Sequence, residues 1–167
     1  MHDTGDSHTT FTYTSIGAIH TPFYDIAGMP IQPAGARGTK GTVEIFPRYR
    51  EGLCDLDGFE RVILIYALHK CTDHLLTVIP FLDKSPRGVF ATRSPKRPNA
   101  IGLSVVRLIS VEEGTLNLED VDMLDGTPLL DIKPYVPEFD ASPDSRCGWF
   151  EDVARHAGTV RSDDRFR

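Results

Sequence analysis

The chain has 167 residues, of which 40% are hydrophobic, enough for one domain with a modest core and too few for a second full domain. Its net charge of −6 excludes a protein that holds nucleic acid through overall positive charge, because nonspecific phosphate affinity comes mainly from clustered Lys and Arg. The apolar stretch 62–68 is far shorter than the roughly 20 residues of a membrane span, and the polar N-terminus does not read as a secretory leader, which predicts a cytoplasmic protein.

Residues 1–11 carry small and polar side chains without an apolar period and read as a flexible leader. The domain proper is expected over 12–140. A first strand is predicted at 13–19, closed by Thr21-Pro22. Gly28, Pro30, Pro33, Gly35 and Gly38 make 25–40 a long loop, of a length that in so small a domain is either functional or disordered. The alternation Thr42-Val43-Glu44-Ile45 predicts a half-buried strand at 41–46, and 49–53 a short helical turn. The unbroken apolar run at 61–68 reads as a central strand covered on both faces. Further strands are predicted at 75–79, 88–92, 102–111, 115–121 and 128–133, with hairpins at Glu113-Gly114 and Asp125-Gly126. No amphipathic helices of 10–15 residues separate them. The fold class is therefore mainly β, a single antiparallel barrel-like domain with a few short helices and not a Rossmann fold. Residues 141–167 form a tail in which 149–157 is expected to make a short helix against the barrel.

Cys54, Cys71 and Cys147 are odd in number and widely spaced with no Cys-x-x-Cys pair, so they read as reduced thiols, not as a disulfide framework or a zinc site. No metal is predicted. Two segments carry chemistry. In the first, residues 87–104, Pro95 and Pro98 stiffen the backbone around Arg93, Ser94, Lys96, Arg97 and Asn99, which suits either a preorganised anion site or a rigid turn with solvated basic residues. In the second, Asp120, Asp122, Asp125 and Asp131 cluster in sequence, consistent with acid and base work, cation binding or plain turn formation, although the spacing of a calcium loop is absent. His69 stands at the end of the central strand, where a rigid sheet aims a working side chain outward or a histidine simply caps.

The blocks Gly88-Val-Phe-Ala-Thr-Arg-Ser-Pro-Lys-Arg-Pro-Asn-Ala-Ile-Gly-Leu-Ser and Asp125-Gly-Thr-Pro-Leu-Leu-Asp-Ile-Lys-Pro-Tyr closely resemble the two most specific blocks of the TrmO/TsaA-like family. Ile16-Gly to Thr21-Pro, Gln32-Pro, Gly58-Phe-Glu-Arg and His69 match weaker family positions in the same order. The resemblance implies a short-form member without the C-terminal domain of longer bacterial relatives: a β-barrel, dimeric, S-adenosylmethionine-dependent methyltransferase that acts on N6 of threonylcarbamoyladenosine in the tRNA anticodon loop. It implies a cofactor site made of Pro30, Ile31, Gln32, His69, Lys70, Arg93, Leu103 and the segment Val121, Asp122, Met123, Leu124. Ile31 stands where family members commonly have Arg, and Lys70 where Gln is common.

The acceptor nitrogen, flanked by a carbonyl and a purine, is a weak nucleophile unless its proton is removed, so a base is expected. His69, Asp125 and Asp131 are the candidates. Lys96 and Arg97 are the expected contacts to anticodon-stem phosphates, with Phe90 or Tyr135 available to stack on a base if exposed. A cofactor-sensing regulatory module, or a methyltransferase with another acceptor, is the alternative reading.

Overall fold

The computed structural model describes residues 9–30, 35–151, 153 and 162. The leader expected at 1–11 falls mostly outside them, as does most of the tail beyond Glu151. Among the described residues eight strands run in chain order: β1 (Gly17–His20), β2 (Lys40–Ile45), β3 (Arg61–Ala67), β4 (Thr77–Val78), β5 (Arg87–Gly88), β6 (Ile101–Glu112), β7 (Thr115–Glu119) and β8 (Thr127–Pro134). Six of them close into an antiparallel barrel in the order β1-β2-β7-β6-β3-β8, and β4 pairs with β5 in a separate two-stranded ribbon. Closure leaves the barrel without an exposed strand edge. Among the described residues the helices are short: 3₁₀ pieces of three to seven residues and the four-residue α1 (Pro137–Asp140). Among the described residues no helix is long and apolar enough to cross a membrane.

Strand alternation places the core. Val62, Leu64 and Tyr66 of β3 point inward and are buried, as are Val106 and Leu108 of β6, Leu116 and Leu118 of β7, Leu129 of β8, and Ile19, Val43 and Ile45 of β1 and β2. Successive side chains of a strand face opposite ways, so each strand contributes every second residue to the interior. Leu64 is fully buried. Leu64→Ala is expected to cost about 2–5 kcal/mol of stability, as leucine truncations in packed cores do, measured as a lower urea midpoint with the slope unchanged.

Three expectations need correction. The run at 61–68 is not covered on both faces. Its outward residues Ile63, Ile65 and Ala67 are half-buried and lie beside Val105, Leu103 and Ile101 of β6, so the continuous apolar pattern reflects an apolar outer surface on this side of the barrel. Residues 88–92 are not a strand: β5 ends at Gly88 and Val89–Ala91 forms a 3₁₀ turn that drives Val89 into a small second core with Val78 and Phe81. Asp125-Gly126 is not a hairpin between neighbours, because β7 pairs with β2 and β6 whereas β8 pairs with β1 and β3. Gly126, at φ 73°, instead immediately precedes β8. Glu113-Gly114 does join the paired strands β6 and β7 as a two-residue turn, with φ of 50° and 89°, the left-handed pair that such hairpins require.

Candidate active site at the barrel end

A cavity of about 220 Å³ opens at one end of the barrel. Its floor is Tyr66, at the end of β3, and one wall is the turn that follows, with Leu68, His69, Lys70 and Cys71. The segment 122–124 forms a second wall, residues 92–95 a third, and Met29 and Pro30 of the long loop close over it. Phe81, Trp149 and Phe150 complete an aromatic side.

The walls are held by side-chain bonds to backbone. Thr21 Oγ1 donates to the Met123 carbonyl at 2.7 Å, and Thr127 Oγ1 donates to the Leu124 carbonyl at 2.7 Å. Asp125 Oδ1 accepts from the Thr21 amide at 3.1 Å. Within 92–97, Thr92 Oγ1 accepts from the Ser94 amide and Ser94 Oγ from the Lys96 amide, at 3.2 and 3.3 Å. The Arg97 guanidinium donates to the carbonyls of Thr92 and Val89 at 2.8 and 3.2 Å. The loop is fixed before any ligand arrives, which reduces the entropy lost on binding. Trp149 Nε1 donates to the Ala91 carbonyl at 2.8 Å, and the Arg87 guanidinium lies 5.4 Å over its ring.

At the floor runs a chain of three polar groups. Ser104 Oγ donates to Asp122 Oδ1 at 2.7 Å, and the Tyr66 hydroxyl lies 3.0 Å from Ser104 Oγ. Ser104 has one hydrogen and Asp122 takes it, so Tyr66 is the donor to Ser104 whenever Asp122 is ionised. Burial pushes the half-buried Asp122 carboxyl up to about 6, against the opposing pull of Ser104's hydrogen bond and the Arg93 guanidinium. Burial also drives the Tyr66 hydroxyl well above its usual range, so it stays a donor. Partial burial, and then the Lys70 ammonium, hold the His69 imidazole below its usual range.

The structure brings Pro30, His69, Lys70, Arg93, Asp122, Met123 and Leu124 together around the cavity. Ile31 and Gln32 lie outside the described residues. Val121 is fully buried in the barrel core behind the wall. Leu103 faces the outside of the barrel and is 51% exposed, away from this chain's own cavity.

Asp125 and Asp131 do not reach the cavity. The first is occupied with the Thr21 amide and lies 3.4 Å from His20. The second sits opposite Ile65 on the outer face and pairs with Lys133 at 2.8 Å. Asp120 caps the Gly38 amide and pairs with Arg61, so the sequence cluster of carboxylates is dispersed. Lys96 also departs from expectation: it is 6% exposed and its ammonium is hydrogen-bonded to Asp73, which braces the loop instead of presenting charge to solvent.

Sequence reasoning missed Tyr66, Ser104 and the aromatic side from Phe81, Trp149 and Phe150. The signal for the first two is parity. Tyr66 and Ser104 occupy inward positions of β3 and β6, where neighbours are aliphatic, and a hydroxyl at an inward position needs a partner.

The family model described as the tRNA-methyltransferase O N-terminal domain matches residues 18–141. The chain belongs to the tRNA-methyltransferase O family. A Pyrococcus abyssi protein named "Probable S-adenosyl-L-methionine-binding protein" is 49% identical over 154 residues, covering 92% of this chain and 84% of its own length. A mouse protein named tRNA (adenine(37)-N6)-methyltransferase is 39% identical over 134 residues, covering 75% of this chain and 31% of its own. The crystal structure of TrmO from Pseudomonas aeruginosa superposes with a TM-score of 0.71 at 40% identity, over 84% of this chain and 63% of that one. Members of the tRNA-methyltransferase O family thus share this barrel, and the chain spans a third to about five sixths of the length of these relatives.

Proposed function

We propose that this member of the family is an S-adenosylmethionine-dependent tRNA methyltransferase that methylates N6 of threonylcarbamoyladenosine beside the anticodon, acting as a cytoplasmic homodimer. The observation that carries the reading is the barrel-end cavity, where a guanidinium, a carboxylate and an aromatic side converge on one apolar-walled space. Those groups suit the methyl donor. Arg93 can meet its carboxylate with charge-assisted hydrogen bonds, Met123, Leu124 and Trp149 can cover the adenine, and an aromatic face or carboxylate favours a cation nearby. When bound, the cofactor supplies an electrophilic methyl group on a good leaving group, so holding the acceptor in line with it provides much of the acceleration.

Support for the homodimer comes from the outer face of β3 and β6. Ile101 and Leu103 are 43% and 51% exposed, next to half-buried Ile63, Ile65 and Val105, an apolar surface of the kind that subunit interfaces cover. Leu103 would then serve a cofactor site completed across the interface. For RNA, Phe90 is 74% exposed with the Arg97 guanidinium 5.8 Å from its ring, a platform on which an unstacked base can lie. Lys70 is exposed at the cavity rim, where its ammonium would meet a phosphate, whereas Lys96 and Arg97 are bonded within the structure to Asp73 and to loop carbonyls.

Arg93→Ala is expected to weaken cofactor binding by about 10- to 150-fold, the loss of a charge-assisted hydrogen bond of about 1.5–3 kcal/mol, read by calorimetry with S-adenosylhomocysteine. The function itself is tested with methyl-labelled cofactor and tRNA that either carries or lacks threonylcarbamoyladenosine, followed by digestion and mass analysis of nucleosides. Label confined to the modified adenosine is the expected result. Binding of the cofactor with no label on either RNA would favour a sensor instead, a reading kept in view by the binding-protein name of the archaeal relative.

A further inference from the structure

Among the described residues that line the cavity, Asp122 is the one carboxylate. Its Oδ1 is fixed by Ser104 at 2.7 Å, and Ser104 is fixed in turn by Tyr66 at 3.0 Å. Ser104 is 1% and Tyr66 7% exposed, so two barrel strands aim this carboxylate and solvent cannot reorient it. Resting on the methyltransferase reading, we infer that Asp122 is the catalytic proton acceptor, with Ser104 and Tyr66 as its positioning residues.

The acceptor nitrogen's lone pair forms the N–C bond to the methyl carbon, and the S–C bond breaks with its electrons remaining on sulfur, which becomes a neutral thioether. The proton on nitrogen passes to Oδ2 of Asp122, giving the neutral carboxylic acid, which later returns the proton to water. Burial raises Asp122 to about 6, so it is ionised at neutral pH yet more basic than an ordinary aspartate, as a general base working near pH 7 should be. The groups facing it are Tyr66 from β3, Ser104 from β6 and Arg93 from the loop, with His69 and Lys70 on the neighbouring cavity wall.

The test measures single-turnover methyl transfer to modified tRNA against pH, beside S-adenosylhomocysteine affinity by calorimetry and the Asp122 carboxyl titrated by carbon-13 NMR. Wild-type rate is expected to fall about tenfold per pH unit below about pH 6, and the carboxyl should titrate with the same midpoint. Asp122→Asn, which preserves the acceptor for Ser104, should lose about 10²- to 10⁴-fold in rate while changing cofactor affinity only a few-fold. Ser104→Ala removes a bond that favours the ionised form, so the acid limb and the carboxyl midpoint should both move to higher pH. Because His69 also titrates, the limb must persist in His69→Gln at whatever plateau that variant reaches.

A rate within a few-fold of wild type in Asp122→Asn overturns the inference. So does a loss of cofactor affinity that matches the loss in transfer, which would make Asp122 a binding residue, or a limb that vanishes with His69. These outcomes leave the methyltransferase reading intact. Absence of transfer by the wild type to any tRNA overturns both.

Discussion

Gly102→Ala is expected to unfold the active-site end of the barrel, with a loss of about 3 kcal/mol or more, at or beyond the upper end of ordinary overpacking. A Cβ at this position would stand 2.1 Å from Tyr66 Cε2 and 2.5 Å from Cζ. Gly102 and Tyr66 are cross-strand partners in β6 and β3, so the phenol lies flat across the glycine and neither backbone can retreat without breaking ladder bonds. The ring cannot swing away either, because its hydroxyl is held at Ser104. A drop in melting temperature of roughly 10 °C is expected, at about 2–4 °C per kcal/mol for a chain of this size, together with loss of S-adenosylhomocysteine binding. Removing the ring should relieve the clash. In the double variant Gly102→Ala, Tyr66→Ala, the cost should therefore be less than the sum of the single costs.

Asp122→Asn should make the protein more stable at pH 7 while abolishing most methyl transfer. The native state raises this carboxyl from 3.8 to about 6, so it binds its proton more tightly than the unfolded chain does. For such a group stability is greatest below about pH 4, where both states are protonated, declines as pH rises to about 6, and levels off above that, where both states are ionised. Two pH units correspond to about 3 kcal/mol as an order of magnitude, the cost of keeping the charge half-buried at neutral pH. Asparagine removes that charge and still offers Oδ1 to Ser104. In urea titrations the variant should be the more stable protein at pH 7, and its advantage should shrink towards zero near pH 4. An equal difference at both pH values would show that the gain comes from packing and not from ionisation. A group that destabilises the fold and is nonetheless held in place by two strands is the pattern of a functional residue whose strain is tolerated for activity.

The barrel was legible in the sequence because its strands alternate and its turns carry left-handed glycines. The strands β2, β3, β6, β7 and β8 lie within one or two residues of their predicted bounds. Two features were not legible. Residues 88–92 have good strand composition, yet the burial of Val89 in a second core bends them into a 3₁₀ turn, a tertiary demand that local propensity does not contain. The pairing of β8 with β1 and β3 is likewise a property of barrel closure, and an Asp-Gly dipeptide reads the same at a strand start as in a hairpin.

The candidate site was partly legible. The resemblance pointed to Arg93, His69 and the segment 121–124, and of these Arg93, His69, Asp122, Met123 and Leu124 line the cavity. Proximity in sequence misled for the carboxylates. Asp122 faces the cavity, whereas Asp125 is a cap for Thr21 and Asp131 sits on the outer face with Lys133. Lys96 looked like surface charge because lysine usually is, and only the fold shows its stem buried beside Asp73. The Tyr66-Ser104-Asp122 chain joins residues 38 and 18 positions apart, brought together by the pairing of β3 with β6 and by the segment between β7 and β8.

The most direct test of the account is a crystal structure of the full chain with S-adenosylhomocysteine. The ligand is expected in the barrel-end cavity, with its carboxylate at Arg93, its adenine against the Met123-Leu124 wall and its sulfur facing Asp122. Ligand bound instead in the groove lined by His20, Tyr24 and Lys40, with the barrel-end cavity lacking it, would contradict the account.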